Sequence, residues 1–204
     1  MKKFFKLISL ILFSLLLFSC EKKVEVSETV ETEAENVNPR IEISISDFGK
    51  LQFELDPENA PLTVENFLKL VNDGFYDGLT FHRIIPGFIM QGGDPNADGT
   101  GGASEMIKGE FGANGVDNRI SHLKGVISMA RNSSFDSGSS QFFICLDDTC
   151  TELDDQFAAF GTMLNKEEGF KILDDIGTDI RVLDDNGTVN KHEQPVIEYI
   201  KEIK

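Results

Sequence analysis

Residues 81–94 read Phe81-His82-Arg83-Ile84-Ile85-Pro86-Gly87-Phe88-Ile89-Met90-Gln91-Gly92-Gly93-Asp94. They gather a guanidinium, aromatic rings and a primary amide around an apolar run. Further on, Ser140-Gln141-Phe142-Phe143-Ile144 repeats the pairing of amide and aromatics. Such groups provide a permanently charged hydrogen-bond donor, primary amides that both donate and accept, and apolar surface. That is equipment for orienting and polarising a bound group, and it requires no nucleophile, general base, metal or nucleotide. If residues 79–84 form a strand, Arg83 faces one side while His82 and Ile84 face the other. Taken singly, Phe88, Phe143 and Phe157 read as core, and only their occurrence together with Arg83, Gln91 and Gln141 points to a pocket.

Other groups offer less. His82, His122 and His192 are scattered without metal-ligand spacing, and no metal is expected. Asp94-Pro95-Asn96-Ala97-Asp98-Gly99, with Glu105 following, satisfies the calcium-loop expression of an EF-hand in full. Its surroundings do not fit. A helix should precede the loop where Gln91-Gly92-Gly93 stands, and Gly101-Gly102 occupies the place of a packing hydrophobic residue. The glycine-rich run reads instead as a connection beside a groove.

The elements that must position these residues are mostly strands. Ile41, Ile43 and Ile45 alternate with polar residues, and after Asp47-Phe48-Gly49-Lys50 the alternation resumes at Leu51, Phe53 and Leu55, which predicts a hairpin. Pro61 near a helix start, Val64, Phe67, Leu68 and Val71 at helical spacing, and Gly74 as a stop predict an amphipathic helix. Further strands are expected over 79–84, 88–91, 126–130, 141–146, 157–160 and 196–203. A second helix is expected over 166–176, with Phe170, Leu173 and Ile176 on one side. Many short strands with glycine-rich connections and two helices indicate a closed barrel or a sandwich.

The chain divides unevenly. Residues 1–19 carry Lys2, Lys3 and Lys6 and then an uncharged leucine-rich run over 7–18, the pattern of a bacterial signal peptide; the run is too short for a permanent membrane span. Leu17-Phe18-Ser19-Cys20 resembles a lipobox, so Cys20 is expected to be lipidated and to anchor the mature chain to a membrane of the bacterial cell envelope. Residues 20–39 lack aromatic residues and glycine and should form a disordered acidic tether. Residues 40–204 then form one domain. The formal net charge is −16, and −19 once the three leader lysines are removed, which argues against nucleic acid as a partner. Cys145 and Cys150 leave two readings open: a disulfide permitted by an oxidising envelope, or a buried strand thiol at Cys145.

The blocks 81–94, Gly99-Thr100-Gly101-Gly102, 125–131, 139–144 and 153–161, in that order along the chain, resemble the cyclophilin family. The resemblance implies a mainly β fold: a closed eight-stranded antiparallel barrel capped by two α-helices. It implies peptidyl-prolyl cis/trans isomerase activity without a cofactor, acting as a monomer on proline-containing, unfolded or flexible polypeptides. Carried across, the family's catalytic positions fall on Arg83 and Gln91. Its proline pocket falls on Phe88, Ile89, Phe143, Leu153 and Phe157, and its peptide-backbone contacts on Gln91, Gly99, Ala130, Arg131, Asn132 and Gln141. Against the best-known eukaryotic pattern, Ile89 replaces methionine, Phe157 replaces histidine and Glu152 replaces a tryptophan. The last change removes an indole donor and its ring, so weakened cyclosporin binding is expected. Two other functions compete: a proline-peptide-binding chaperone module with little turnover, and a structural lipoprotein, which would not require Arg83 beside an apolar pocket.

Overall fold

The computed structural model describes residues 37–204. The signal-peptide, Cys20 and most of the tether expectations lie outside the described residues.

The alternating isoleucines of Arg40–Ile45 (β1) pair with Gly49–Leu55 (β2), with Ile41 opposite Phe53 and Ile43 opposite Leu51. Ile41, Ile43, Leu51, Phe53 and Leu55 are fully buried, so the period-two pattern marks the core face. Phe81–Ile85 (β3), Ile89–Gly92 (β4), Val126–Met129 (β5), Phe142–Cys145 (β6), Ala158–Met163 (β7) and Ile197–Ile203 (β8) complete one antiparallel sheet in the order β3-β4-β6-β5-β7-β2-β1-β8. Each expected strand is present with ends moved by a few residues. Phe157, expected inside a strand, lies just before β7.

Pro61–Asn72 (α1) buries Val64, Phe67, Leu70 and Val71 and packs against β7 and β8. Its N-cap, Ala60, has no side chain with which to satisfy the free amides of the first turn. A distant carboxylate supplies the cap. Glu110, 3% exposed, accepts from the Leu62 and Thr63 amides at 3.0 and 2.8 Å and from the Thr63 hydroxyl at 2.7 Å. A negative charge there also complements the helix dipole. Lys166–Asp179 (α2) buries Ile172, Leu173 and Ile176 and lies against β2.

The expected closure of the barrel is not found: the sheet is curled but open between its end strands, β3 and β8. The reason is that other backbone occupies the free edge of β3. The Ile84 amide donates to the Gly187 carbonyl at 2.8 Å, the Val189 amide donates to the His82 carbonyl at 3.1 Å, and Thr188 bridges to Arg83. Only the strand starts meet, through one bridge between Thr80 and Val196 and the bonds Gly78 N to Ile197 O, Ile197 N to Leu79 O and Phe81 N to Pro195 O. Pro195 has no N–H with which to extend the ladder.

The sheet has two apolar sides. Phe81, Ile84, Met90, Ile127, Met129, Phe142, Ile144 and Phe160 join the main core under the helices. Ile89, Val126, Phe143, Cys145 and Ala159 lie on the opposite side, in a smaller cluster with Ala130 and Cys150. The division follows from alternation along β6, where Phe142 and Ile144 go inward and Phe143 and Cys145 outward.

Candidate active site

The outer side of β3, β4 and β6 carries the chemistry. Arg83 stands opposite Gln91, and Gln91 opposite Phe143, in successive strands. A bulge lies between Phe81 and Arg83. It corrects the expectation from simple alternation: Ile84 enters the core, but His82 sits in the bulge, 5% exposed, with its Nε2 facing Gly99 rather than the core cluster.

Arg83 is held from two directions. Its Nε donates to the Asn186 carbonyl at 2.8 Å and its Nη1 to Gln91 Oε1 at 3.2 Å. Gln91 Nε2 donates in turn to Gln141 Oε1 at 2.8 Å, and Gln141 Nε2 donates to the carbonyls of Gly99 and Gly101 at 3.1 and 2.7 Å. The donors all point away from the guanidinium, which fixes both amide orientations. Partial burial lowers the Arg83 pKa from its ordinary value, against the opposing pull of Asp184. A guanidinium starts so high that it stays charged.

The loop that receives Gln141 is organised by Asp94. This fully buried carboxylate accepts the amides of Asn96, Asp98 and Gly99 at 2.8, 3.1 and 2.5 Å. Burial opposes its ionisation, but those amides hold its pKa below the ordinary value. The calcium-loop pattern is thus spent on the loop's own backbone, and Glu105 pairs with Lys69 at 3.1 Å. Gly93 makes the turn possible: it has φ +81°, and a Cβ there would stand 2.4 Å from the Ser140 carbonyl.

Beside Arg83, the structure brings Phe88, Ile89, Phe143, Leu153 and Phe157 into the outer cluster. Phe143 and Phe157 meet edge to face at 5.5 Å. Gln91, Gly99, Ala130, Arg131, Asn132 and Gln141 line one neighbouring cavity of about 280 Å³. All the sequence-predicted site residues in the described region therefore share one surface. Asn132 contributes least: its amide donates to Ser137 Oγ, and its side chain accepts the Ser134 amide. Cys145 and Cys150 are free, buried thiols behind the pocket. Cys150 donates to the Phe88 carbonyl at 2.8 Å, and its hydrogen bond with Cys145, together with burial, pushes the Cys145 thiol up.

Sequence reasoning missed two supports. Asn186 holds Arg83 from a turn whose signal, Asp184-Asp185-Asn186-Gly187, was visible although its docking place was not. His122, 1% exposed, stacks on Phe143 at 5.9 Å; its Nδ1 lies 2.8 Å from Asp154 Oδ1 and its Nε2 2.9 Å from Ser128 Oγ. Burial lowers the His122 pKa from 6.5 despite Asp154, and burial likewise lowers that of His82. A folded-state pKa below the unfolded one means that the unfolded chain binds more protons at mildly acidic pH. The stability these neutral rings contribute is present above about pH 6.5 and lost as the pH falls. Urea denaturation should give a lower midpoint at about pH 5 than at about pH 7.5, and equal midpoints would refute this.

Fold and site together define a class: a curled antiparallel-sheet protein whose outer side carries an aromatic cluster next to a fixed guanidinium and two oriented amides. Residues 40–202 match the family described as cyclophilin type peptidyl-prolyl cis-trans isomerase/CLD, and the chain belongs to that family. It is 54% identical over 100 residues to peptidyl-prolyl cis-trans isomerase B of Bacillus subtilis (strain 168), a match covering 49% of this chain and 66% of that relative. It is 44% identical over 128 residues to a peptidyl-prolyl cis-trans isomerase of Helicobacter pylori (strain ATCC 700392 / 26695), covering 63% of this chain and 74% of that relative. The fold is similar to a crystal structure of a Cryptosporidium parvum cyclophilin type peptidyl-prolyl cis-trans isomerase in the presence of the dipeptide Ala-Pro. That match has a TM-score of 0.68 and 28% identity, and covers 81% of this chain and 99% of the other.

Proposed function

We propose that the protein is a peptidyl-prolyl cis/trans isomerase that accelerates rotation about X-Pro bonds in exported polypeptides. The observation that carries this reading is the Arg83 guanidinium, held beside the aromatic pocket by the Asn186 carbonyl and Gln91. An X-Pro bond resists rotation by roughly 18–20 kcal/mol because the nitrogen lone pair is delocalised into the carbonyl, and uncatalysed exchange takes tens to hundreds of seconds, as an order of magnitude. As the bond twists, the nitrogen pyramidalises and regains its lone pair. A fixed guanidinium donates to that lone pair more strongly than to the planar amide, so it binds the transition state selectively. The pocket excludes the water that favours the polar planar form, and Gln91 and Gln141 hold the flanking chain while the bond turns. Fast exchange of an X-Pro peptide, followed by NMR or a protease-coupled assay, supports the reading. Binding with exchange no faster than in buffer would replace it with a peptide-binding module.

The same proposal places the domain, as a monomer, at a membrane of the bacterial cell envelope, through a lipid on Cys20. It rests on the leader pattern over 1–19 and the lipobox-like Leu17-Phe18-Ser19-Cys20. Labelling with a fatty-acid analogue should mark the mature protein, and Cys20→Ala should abolish the label and release the protein from membranes. A Cys20→Ala protein that still carries label would refute the assignment.

A further inference from the structure

The guanidinium of Arg131 lies among three aromatic rings, 5.1 Å from the centroid of Phe111, 5.0 Å from Phe135 and 4.7 Å from Phe157. Two directed bonds fix its plane: Nε donates to the Gln156 carbonyl at 3.0 Å and Nη1 to the Asn132 carbonyl at 2.9 Å. Among the described residues it forms no ion pair, so the rings and carbonyls are what hold the cation. Phe111, 1% exposed, belongs to the main core, whereas Phe157 belongs to the outer cluster that forms the pocket. The side chain thus bridges the buried core and the pocket wall. Phe157 needs such a bridge. It lies outside β7, directly after a turn in which Asp155 has φ 61°, and its other ring contact in the pocket is the edge of Phe143.

Resting on the isomerase reading above, we propose that Arg131 is a positioning residue: through its side chain it sets the ring of Phe157 and thereby the shape of the pocket that receives the proline ring. With Nε and Nη1 taken by the Gln156 and Asn132 carbonyls, the side chain acts at one remove from the substrate, in place of the direct peptide contact that the resemblance implies for this position. The cation is attracted to the face of Phe157 and the plane is set by the Gln156 carbonyl, so ring and adjoining backbone move together. Lysine would keep the charge but lose the planar fork and the two directed donors. A looser wall weakens binding of planar and twisted substrate alike, so the loss should appear in KM rather than kcat.

The test compares wild type, Arg131→Ala and Arg131→Lys, each alone and combined with Phe157→Leu, measuring kcat, KM and the Kd of an Ala-Pro-containing peptide. Arg131→Ala should raise KM and Kd by about three- to tenfold with kcat within about twofold, and Arg131→Lys should recover only part of the loss. In the Phe157→Leu background the same substitution should change KM and Kd by less than about twofold, because the contact it removes is already gone. Equal losses in both backgrounds, full recovery by lysine, or unchanged KM and Kd would overturn the proposal. If wild type binds the peptide without turnover while Kd follows the expected pattern, the positioning role stands and the isomerase reading falls.

Discussion

Arg83→Ala is expected to reduce kcat/KM for an X-Pro peptide by about ten- to a hundredfold, the value of one hydrogen bond from a charged donor, with the protein still folded. The estimate follows from what the side chain touches. It stands on the outer side of the sheet, so its removal opens no cavity in the main core, and the Asn186 carbonyl it leaves behind lies where water can replace the donor. The measurement is the exchange assay on wild type and variant, with urea denaturation alongside. Arg83→Lys should fall between the two, since lysine keeps the charge but cannot donate in two fixed directions to Asn186 and Gln91 while presenting a further N–H to the substrate. A folded Arg83→Ala protein with wild-type kcat/KM would remove the guanidinium from the mechanism.

The largest effect on stability is expected one residue away from the pocket. Phe142→Ala should cost about 3–5 kcal/mol, the usual range for removing a buried ring. Phe142 is fully buried, with the rings of Phe67, Tyr76 and Phe81 packed edge-on around it at 5.5, 5.6 and 5.8 Å. Those neighbours belong to α1, to the segment after it and to β3, so the cavity cannot collapse by a shift of one element alone. Domains of this kind have about 5–15 kcal/mol in total, so the variant should denature at a much lower urea concentration or fail to fold. A midpoint close to wild type would show that Phe142 is not central to the core.

Some of this was legible in the sequence for local reasons. The β1–β2 hairpin declares itself because one side of each strand is apolar and the other polar, and α1 because Pro61 and Gly74 bracket a helical period. The site was legible through two short blocks, 81–94 and 140–144, that hold Arg83, Gln91, Gln141 and Phe143 within a few residues of one another. What was not legible depends on contacts between distant segments. Every residue of β6 is buried, so no alternation reveals which face Phe143 takes; only pairing with Gln91 and Ser128 on its neighbours decides it. The bulge at His82 shifts the register by one residue and leaves no mark in composition. His122 lacked metal-ligand spacing, and its partners Ser128 and Asp154 become meaningful only once β5 and the 154 turn converge. Glu110 caps a helix that begins some fifty residues earlier, beyond any local capping motif. The closed barrel failed for a related reason: nothing in the strand patterns shows that residues 187–189 will take the edge where β8 was expected.

That last segment serves two purposes at once. An uncovered edge strand is a template for pairing with other chains. Gly187, Thr188 and Val189 cover the edge of β3, and the same turn extends the Asn186 carbonyl to Arg83. Protection against self-association and orientation of the guanidinium are thereby tied to the length of a single turn. An insertion or deletion between residues 184 and 189 would disturb both together, which makes this loop far less free to vary than its polar composition suggests.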